Sequence, residues 1–168
     1  MIKELLILTV FPGAMALAAA CDLFTMTLPN RLALALVLFF FMVAPFAGLG
    51  WSDVGLHVAL ALLALVATST LFSFGWMGGG DVKLFAATCL WLNPETLIAY
   101  SIYAGLIGMT LALALVLWRK VPLPTMLSSQ DWLVRLHSPE EGVPYGIALA
   151  AAGLLVYPQS PFMAALGG

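Results

Sequence analysis

Long apolar runs follow one another along the chain, and each is closed by a charged residue or by a cluster of glycine and proline. A helix that crosses a bilayer needs about 20 mostly apolar residues, and most of these runs approach that length. The pattern therefore predicts an all-α, polytopic membrane protein with six transmembrane helices. These spans are predicted near residues 5–21, 32–49, 54–74, 82–92, 96–118 and 144–168.

The fourth run is much shorter than the others. Residues 82–92 would rise only about 16 Å as a helix, because each residue adds about 1.5 Å, whereas the bilayer core is about 30 Å thick. This helix can cross the membrane only if Asp81 and Lys83 also lie within the membrane boundary. The short span after the glycine-rich segment therefore predicts that Asp81 lies deep, within the boundary of the membrane.

Two other segments carry local signals. Residues 129–136 are predicted to form a capped amphipathic turn on the membrane surface, with Trp132 at the interface. Pro158 and Pro161 are predicted to interrupt the last span, because proline cannot continue the hydrogen-bond ladder of a helix.

The composition agrees with a membrane protein and leaves no room for a sizeable soluble module. Of the 168 residues, 63% are hydrophobic and only 8% are charged, whereas about a quarter of a soluble domain is charged. We therefore expect residues 1–168 to form a single transmembrane domain. The six Lys and Arg residues form no basic cluster, so nucleic acid is not expected as a partner.

The potential metal ligands are dispersed. Cys21 and Cys89 lie in separate apolar stretches and form no CxxC pair. His57 and His137 are predicted to lie on opposite faces of the membrane. Neither a disulfide framework nor a metal site is indicated, and no cofactor is expected.

Positive charges set the predicted orientation. Five of the six lie in the first, third and fifth loops, whereas Lys3 lies on the other side. Since Lys and Arg accumulate on the cytoplasmic side, both termini are expected to lie outside the cytoplasm, and Asp22 and Asp81 to share the cytoplasmic face. Tryptophans near span ends are expected to form an interfacial belt. The five charges are Arg31, Lys83, Arg119, Lys120 and Arg135, and the tryptophans are Trp51, Trp76, Trp91 and Trp118.

Asp22 and Asp81 differ from the other acidic residues, because each abuts a predicted span, where an ionisable group is costly and usually functional. Two carboxylates that meet in a poorly solvated site share a proton, so that one can activate water while its protonated partner polarises a carbonyl. This is aspartyl-peptidase chemistry. The remaining acids lie in predicted loops or tails, where solvated charges are expected: Glu4, Asp53, Glu95, Asp131, Glu140 and Glu141.

Three glycines precede Asp81. Without Cβ atoms, residues 78–80 can adopt unusual dihedral angles and allow another backbone, such as an extended peptide, to approach closely. Gly75 and Gly79 also form a GxxxG pattern, which favours close helix crossing. A simple loop and an active-site loop are equally compatible with this segment.

Three motifs, in order along essentially the whole chain, resemble those of the type IV prepilin peptidases. The sequence Gly78-Gly79-Gly80-Asp81 resembles their GxGD motif, and Asp22 followed by Leu28-Pro29-Asn30 resembles their first catalytic aspartate and its hydrophobic-Pro-Asn turn. The segment Pro144-Tyr145-Gly146 is similar to the entry of the last span in the small TadV/CpaA kind of Tad (Flp) pilus systems.

The resemblance implies cleavage of the short, positively charged leader of prepilins and pseudopilins at the cytoplasmic face of the bacterial inner membrane. It implies Asp22 and Asp81 as the catalytic pair. For Lys83, anchoring at the interface, leader recognition and an effect on Asp81 all remain open. The motif residues expected to support the site are Gly78, Gly80, Lys83, Pro29, Asn30, Pro144, Tyr145 and Gly146.

Larger members of this family carry an amino-terminal cytoplasmic domain with paired CxxC motifs and also methylate the new amino terminus. This chain begins at its first predicted span and has no CxxC. We therefore expect peptidase activity without a methyltransferase domain.

Two other classes of function remain open at this point. A small ion-coupled transporter could use Asp81 after a glycine-broken helix to bind a cation or proton, and an assembly subunit could use GxxxG faces for packing. No convincing internal repeat supports the transporter, and an assembly subunit would not need both aspartates. The sequence predicts neither the particular substrate nor the oligomeric state.

Overall fold

The computed structural model describes residues 1–167, and this part of the chain is helical without any strand, which confirms the all-α prediction. The predicted end of the last span, residue 168, lies outside it. A single 3₁₀ turn, Tyr157–Gln159, separates the last two helices. The helices are α1 (Ile2–Thr25), α2 (Asn30–Val43), α3 (Trp51–Ser73), α4 (Gly79–Cys89), α5 (Pro94–Trp118), α6 (Asp131–His137), α7 (Tyr145–Val156) and α8 (Pro161–Ala164).

Four segments are long and apolar enough to cross a membrane: α1, α3, α5 and the combined segment Tyr145–Ala164. They support a polytopic membrane protein. The other two predicted spans correspond to α2 and α4, which have only 14 and 11 residues. Six complete crossings therefore stay a prediction.

The short helices α4 and α7 form the centre of the bundle. Helix α7 packs against α1, α4 and α5, and α4 also packs against α2 and α3. The buried face of α7 is made largely of small residues, which let neighbouring backbones approach closely. Most of α1, α3 and α5 is instead exposed and apolar, as lipid contact requires. The buried residues of α7 are Gly146, Ala148, Leu149, Ala150, Ala152, Gly153 and Val156.

Two predicted boundaries are wrong. Helix α1 does not stop at Asp22 but continues to Thr25, and it ends where Met26 adopts a left-handed conformation with a φ of 53°. Asp22 therefore lies on the last turn of a helix and not in a loop. Helix α2 ends at Val43, two residues before Pro45, although the apolar run continues to Leu49.

Two predicted local features agree with the structure. Residues 131–137 form the short helix α6, close to the predicted amphipathic turn. The last segment changes from an α-helix to a 3₁₀ turn at Tyr157, and a new short helix begins at Pro161. The two prolines therefore interrupt the last segment as predicted.

An aromatic cluster closes the end of the bundle that is opposite to Asp22. Trp91 is fully buried there, with ring centroids 5.5 Å from Phe11 and 4.8 Å from Phe162. Its Nε1–H donates to the carbonyl of Leu36 at 3.2 Å. The prediction that Trp91 belongs to an interfacial belt is therefore wrong, because its indole N–H finds a partner inside the core.

The first turns of α1 meet the segment that follows α7 at this same end of the bundle. The Lys3 ammonium group donates to the carbonyl of Ala165 at 2.7 Å, and the Tyr157 hydroxyl donates to the carbonyl of Ile7 at 2.8 Å. His57 is also buried nearby, with Nδ1 2.7 Å from the carbonyl oxygen of Leu90. It is thus a hydrogen-bonded core histidine.

Replacing Trp91 by alanine should lower the free energy of unfolding by about 3–5 kcal/mol, because it removes a fully buried ring and leaves a cavity. The measurement is reversible unfolding of the detergent-solubilised protein. Trp51→Ala is the matched control, since Trp51 is 93% exposed. Equal destabilisation by the two substitutions would contradict the core position of Trp91.

Candidate active site

Asp22 is held at the first turn of α7. Its side chain is only 5% exposed, and the backbone N–H of Gly146 donates to its Oδ2 at 2.6 Å. The first N–H groups of a helix have no partner within the helix, and the helix dipole makes this end attractive to a carboxylate. The Gly146 N–H in the first turn of α7 thus replaces a hydrogen bond from water that the Asp22 carboxylate loses on burial.

This contact requires a glycine at position 146. A Cβ atom built on Gly146 would lie 2.8 Å from Oδ2 of Asp22 and 3.0 Å from Cδ1 of Leu28. Any side chain would therefore displace either the carboxylate or the turn between α1 and α2. The role of Gly146 is steric as well as hydrogen-bonding.

Asp81 occupies the first turn of α4, directly after the glycine-rich segment. A Cβ atom on Gly78 would lie 2.8 Å from Oδ2 of Asp81, and one on Gly80 would lie 3.0 Å from Cβ of Leu28. The glycines therefore make room for the carboxylate on one side and for the α1–α2 turn on the other. The segment serves as more than a flexible connection.

The two carboxylates share two adjoining cavities. The larger, of about 960 Å³, lies between α3 and α5 and is also lined by Gly78, Pro144 and Tyr145. The smaller, of about 290 Å³, lies between the α1–α2 turn and residues 78–80. Asp22 and Asp81 thus face common space. This arrangement can hold a water and a peptide carbonyl between two acids.

Tyr145 fastens the start of α7 to α5. Its hydroxyl donates to the carbonyl of Ala104 at 3.0 Å. Its ring occupies the space that a Cβ atom on Gly108 would need. Since Tyr145 directly precedes Gly146, this packing also fixes the N–H that binds Asp22.

Lys83, Pro29 and Asn30 lie on another side of α4. The Lys83 ammonium group donates to Oδ1 of Asn30 at 2.8 Å, and Pro29 is the residue at which α2 is capped. None of the three lines the cavities that contain the carboxylates. Their observed contacts join α2 to α4 and do not involve the two aspartates.

Sequence reasoning missed two residues at this site. Glu141 is exposed in a loop, as expected for a solvated charge, but it also lines the larger cavity, which was not expected. Its position three residues before Pro144 was the available signal. Gly108 gave no signal, since one glycine in an apolar run does not reveal that a tyrosine from another helix needs its space.

Comparison with known proteins identifies the family. The sequence profile of the type IV leader peptidase family matches residues 9–113, which include Asp22 and Asp81. A prepilin leader peptidase/N-methyltransferase of Bacillus subtilis (strain 168) is 27% identical over 154 residues. The match covers 92% of this chain and 56% of that protein, so the chain spans little more than half of its relative's length.

No solved structure shows a significant match to the chain. The family profile, however, covers more than half of the chain and includes both candidate aspartates. The chain therefore belongs to the type IV leader peptidase family.

Proposed function

We propose that this protein is an aspartyl endopeptidase that removes the positively charged leader of type IV prepilins and pseudopilins. The observation that carries the proposal is that Asp22 and Asp81 line the same cavity of about 960 Å³. Family membership and the similarity to a prepilin leader peptidase support the choice of substrate. They favour a peptidase over an ion-coupled transporter.

The proposed reaction is hydrolysis with one proton shared by the two aspartates. The ionised carboxylate takes a proton from water, whose oxygen attacks the carbonyl carbon of the scissile bond. The protonated carboxyl donates a hydrogen bond to the carbonyl oxygen and stabilises its developing charge. The carboxyl that took the proton from water then passes it to the peptide nitrogen, the C–N bond breaks, and a new carboxyl terminus and a new amino terminus are released with the aspartate pair back in its singly protonated state.

The proposed setting is the cytoplasmic boundary of the bacterial inner membrane, with six crossings and both termini outside the cytoplasm. The distribution of Lys and Arg supports this orientation. The motifs beginning at Asp22, Gly78 and Pro144 support a member of the small Tad (Flp) kind. In this arrangement the short helix α4 begins at the level of the membrane boundary on the carboxylate side.

Asp22→Asn and Asp81→Asn should each lower leader cleavage by at least about a hundredfold, because an amide can neither accept the proton from water nor share it. The measurement is the rate at which a co-reconstituted prepilin is shortened in proteoliposomes. Asp131→Asn is the matched control, since Asp131 is exposed on α6 and lines neither cavity.

The two aspartate variants should unfold at the same denaturant concentration as the wild type or higher, since each substitution leaves only one of the two acids that repel each other in their ionised forms. Full cleavage by either variant would show that the pair is not catalytic. Failure of the wild type, with proton or cation uptake into the vesicles, would favour the transporter.

Gly146→Ala should reduce cleavage by up to about a hundredfold while the helical content is retained, because the added Cβ displaces the Asp22 carboxylate. The measurement is cleavage rate together with circular dichroism. Gly55→Ala is the matched control, since no atom lies within 4 Å of a Cβ at that exposed helical position. Equal activity of the two variants would argue against the role of Gly146.

A further inference from the structure

The charged residues that line the larger cavity all carry the same sign of charge. Asp22, Asp81 and Glu141 are the charged residues that line it among residues 1–167, and all three are acidic. Within the same part of the chain, the one ion pair joins the amino group of Met1 to Glu4, so Glu141 has no cationic partner within 4 Å. The cavity is therefore suited to a positively charged ligand.

Glu141 is held at one end of this cavity. The Arg119 guanidinium, at the end of α5, donates from Nη2 to the carbonyl of Gly142 at 2.8 Å and from Nε to the carbonyl of Leu136 at 3.0 Å. These bonds tie the loop that carries Glu141 to the last turn of α5. They hold the backbone next to Glu141, whose side chain is exposed.

The cavity wall formed by α3 and α5 is uncharged and consists largely of small residues. Thr68 and Leu71 of α3 lie on one side, and Ser101 and Gly105 of α5 on the other. Small residues on α5 leave space for a helix to approach its backbone. Ser101 is about 27 Å along α5 from Arg119, at about 1.5 Å per residue, so the cavity's two ends differ in chemistry and in depth.

The carboxylate pair lies between these ends. The Tyr145 hydroxyl contacts the carbonyl of Ala104, and the next residue, Gly146, binds Asp22. Ala104 follows Ser101 along α5 and precedes Arg119 by about four turns. A chain that runs from Glu141 to Ser101 would therefore pass the level of Asp22, and Asp81 lines the same cavity.

We propose that the cavity binds its substrate in one direction, with Glu141 pairing with a Lys or Arg of the leader and the apolar segment after the cleaved bond lying as a helix between α3 and α5. This assignment rests on the proposed peptidase function. It makes Glu141 a specificity-determining residue that does not take part in bond cleavage.

The test is a charge exchange between enzyme and substrate in proteoliposomes. The probe is a prepilin with Lys and Arg in its leader. Glu141→Lys should raise KM about tenfold and change kcat less than about twofold, because an exposed charge at the cavity contributes to binding only and its reversal replaces attraction by repulsion. Glu140→Lys is the matched control, since Glu140 is the exposed neighbour that does not line the cavity, and it should leave KM within about twofold.

A second substrate, with the leader Lys and Arg residues changed to Glu, should reverse the order of the enzymes. Glu141→Lys should cleave it at a lower KM than the wild type does. Equal KM changes for the variants at positions 140 and 141, or no reversal with the acidic leader, would overturn the assignment. If the wild type cleaves neither substrate, the proposed function itself has failed.

The position of the apolar segment has its own test. Ser101→Phe should reduce kcat/KM for the full prepilin at least about tenfold, because the ring fills the space between α3 and α5. Thr110→Phe is the matched control: both hydroxyls bond the carbonyl four residues earlier in α5, but Thr110 does not line the cavity. Equal rates for two folded variants would place the apolar segment elsewhere.

Discussion

The hydrogen bond from the Gly146 N–H to the Asp22 carboxylate is the interaction on which the candidate site depends. It joins the last turn of α1 to the first turn of α7, residues 124 positions apart in sequence. A carboxylate buried in an apolar bundle needs such a partner, because water is largely excluded. The start of α7 supplies both the donor and the favourable end of the helix dipole.

The rest of the bundle keeps that helix start in place. The small face of α7 allows α1, α4 and α5 to approach it closely. The Tyr145 ring fits over Gly108 and prevents the first turn from sliding along α5. On the other side, Leu28 packs close to both Gly80 and Gly146, so one turn between α1 and α2 contacts both the helix that carries Asp81 and the helix start that binds Asp22.

The short length of α4 has a structural consequence for Asp81. The segment that follows α4 carries Trp91 into the aromatic cluster at the far end of the bundle. With only 11 residues, α4 extends about 16 Å. The first turn of α4, which contains Asp81, therefore lies deeper in the bundle than the end of α3. At this depth Asp81 lines the same cavities as Asp22.

The sequence was sufficient for the helical class and the apolar segments, because burial in lipid imposes strong and regular restrictions on residue type. It also singled out the two aspartates that line the common cavity, whose catalytic role stays a prediction. Helix ends were harder to predict. Asp22 looked like a loop residue because its charge ended an apolar run, whereas the partner that allows it to stay in the helix lies at position 146. Long-range contacts of this kind leave no local pattern.

The same lack of a local pattern explains why the roles of three further residues were not predicted: Trp91, Gly108 and Glu141. A tryptophan at a span end usually marks an interface, but the Trp91 indole N–H donates to the carbonyl of Leu36 inside the core. Gly108 is important because the Tyr145 ring of another helix occupies the space beside it, and Glu141 is important because it lines the larger cavity. Each role depends on which helices become neighbours, and that information emerges only from packing.

The most direct measurement of the central claim is the proximity of positions 22 and 81 in native membranes. Asp22→Cys and Asp81→Cys would be combined in a chain whose Cys21 and Cys89 are replaced by alanine, and then treated with a short bifunctional thiol reagent. The shared cavity predicts an intramolecular link between the two positions, identified by mass spectrometry. Reaction of both thiols without any link between them would contradict a common site.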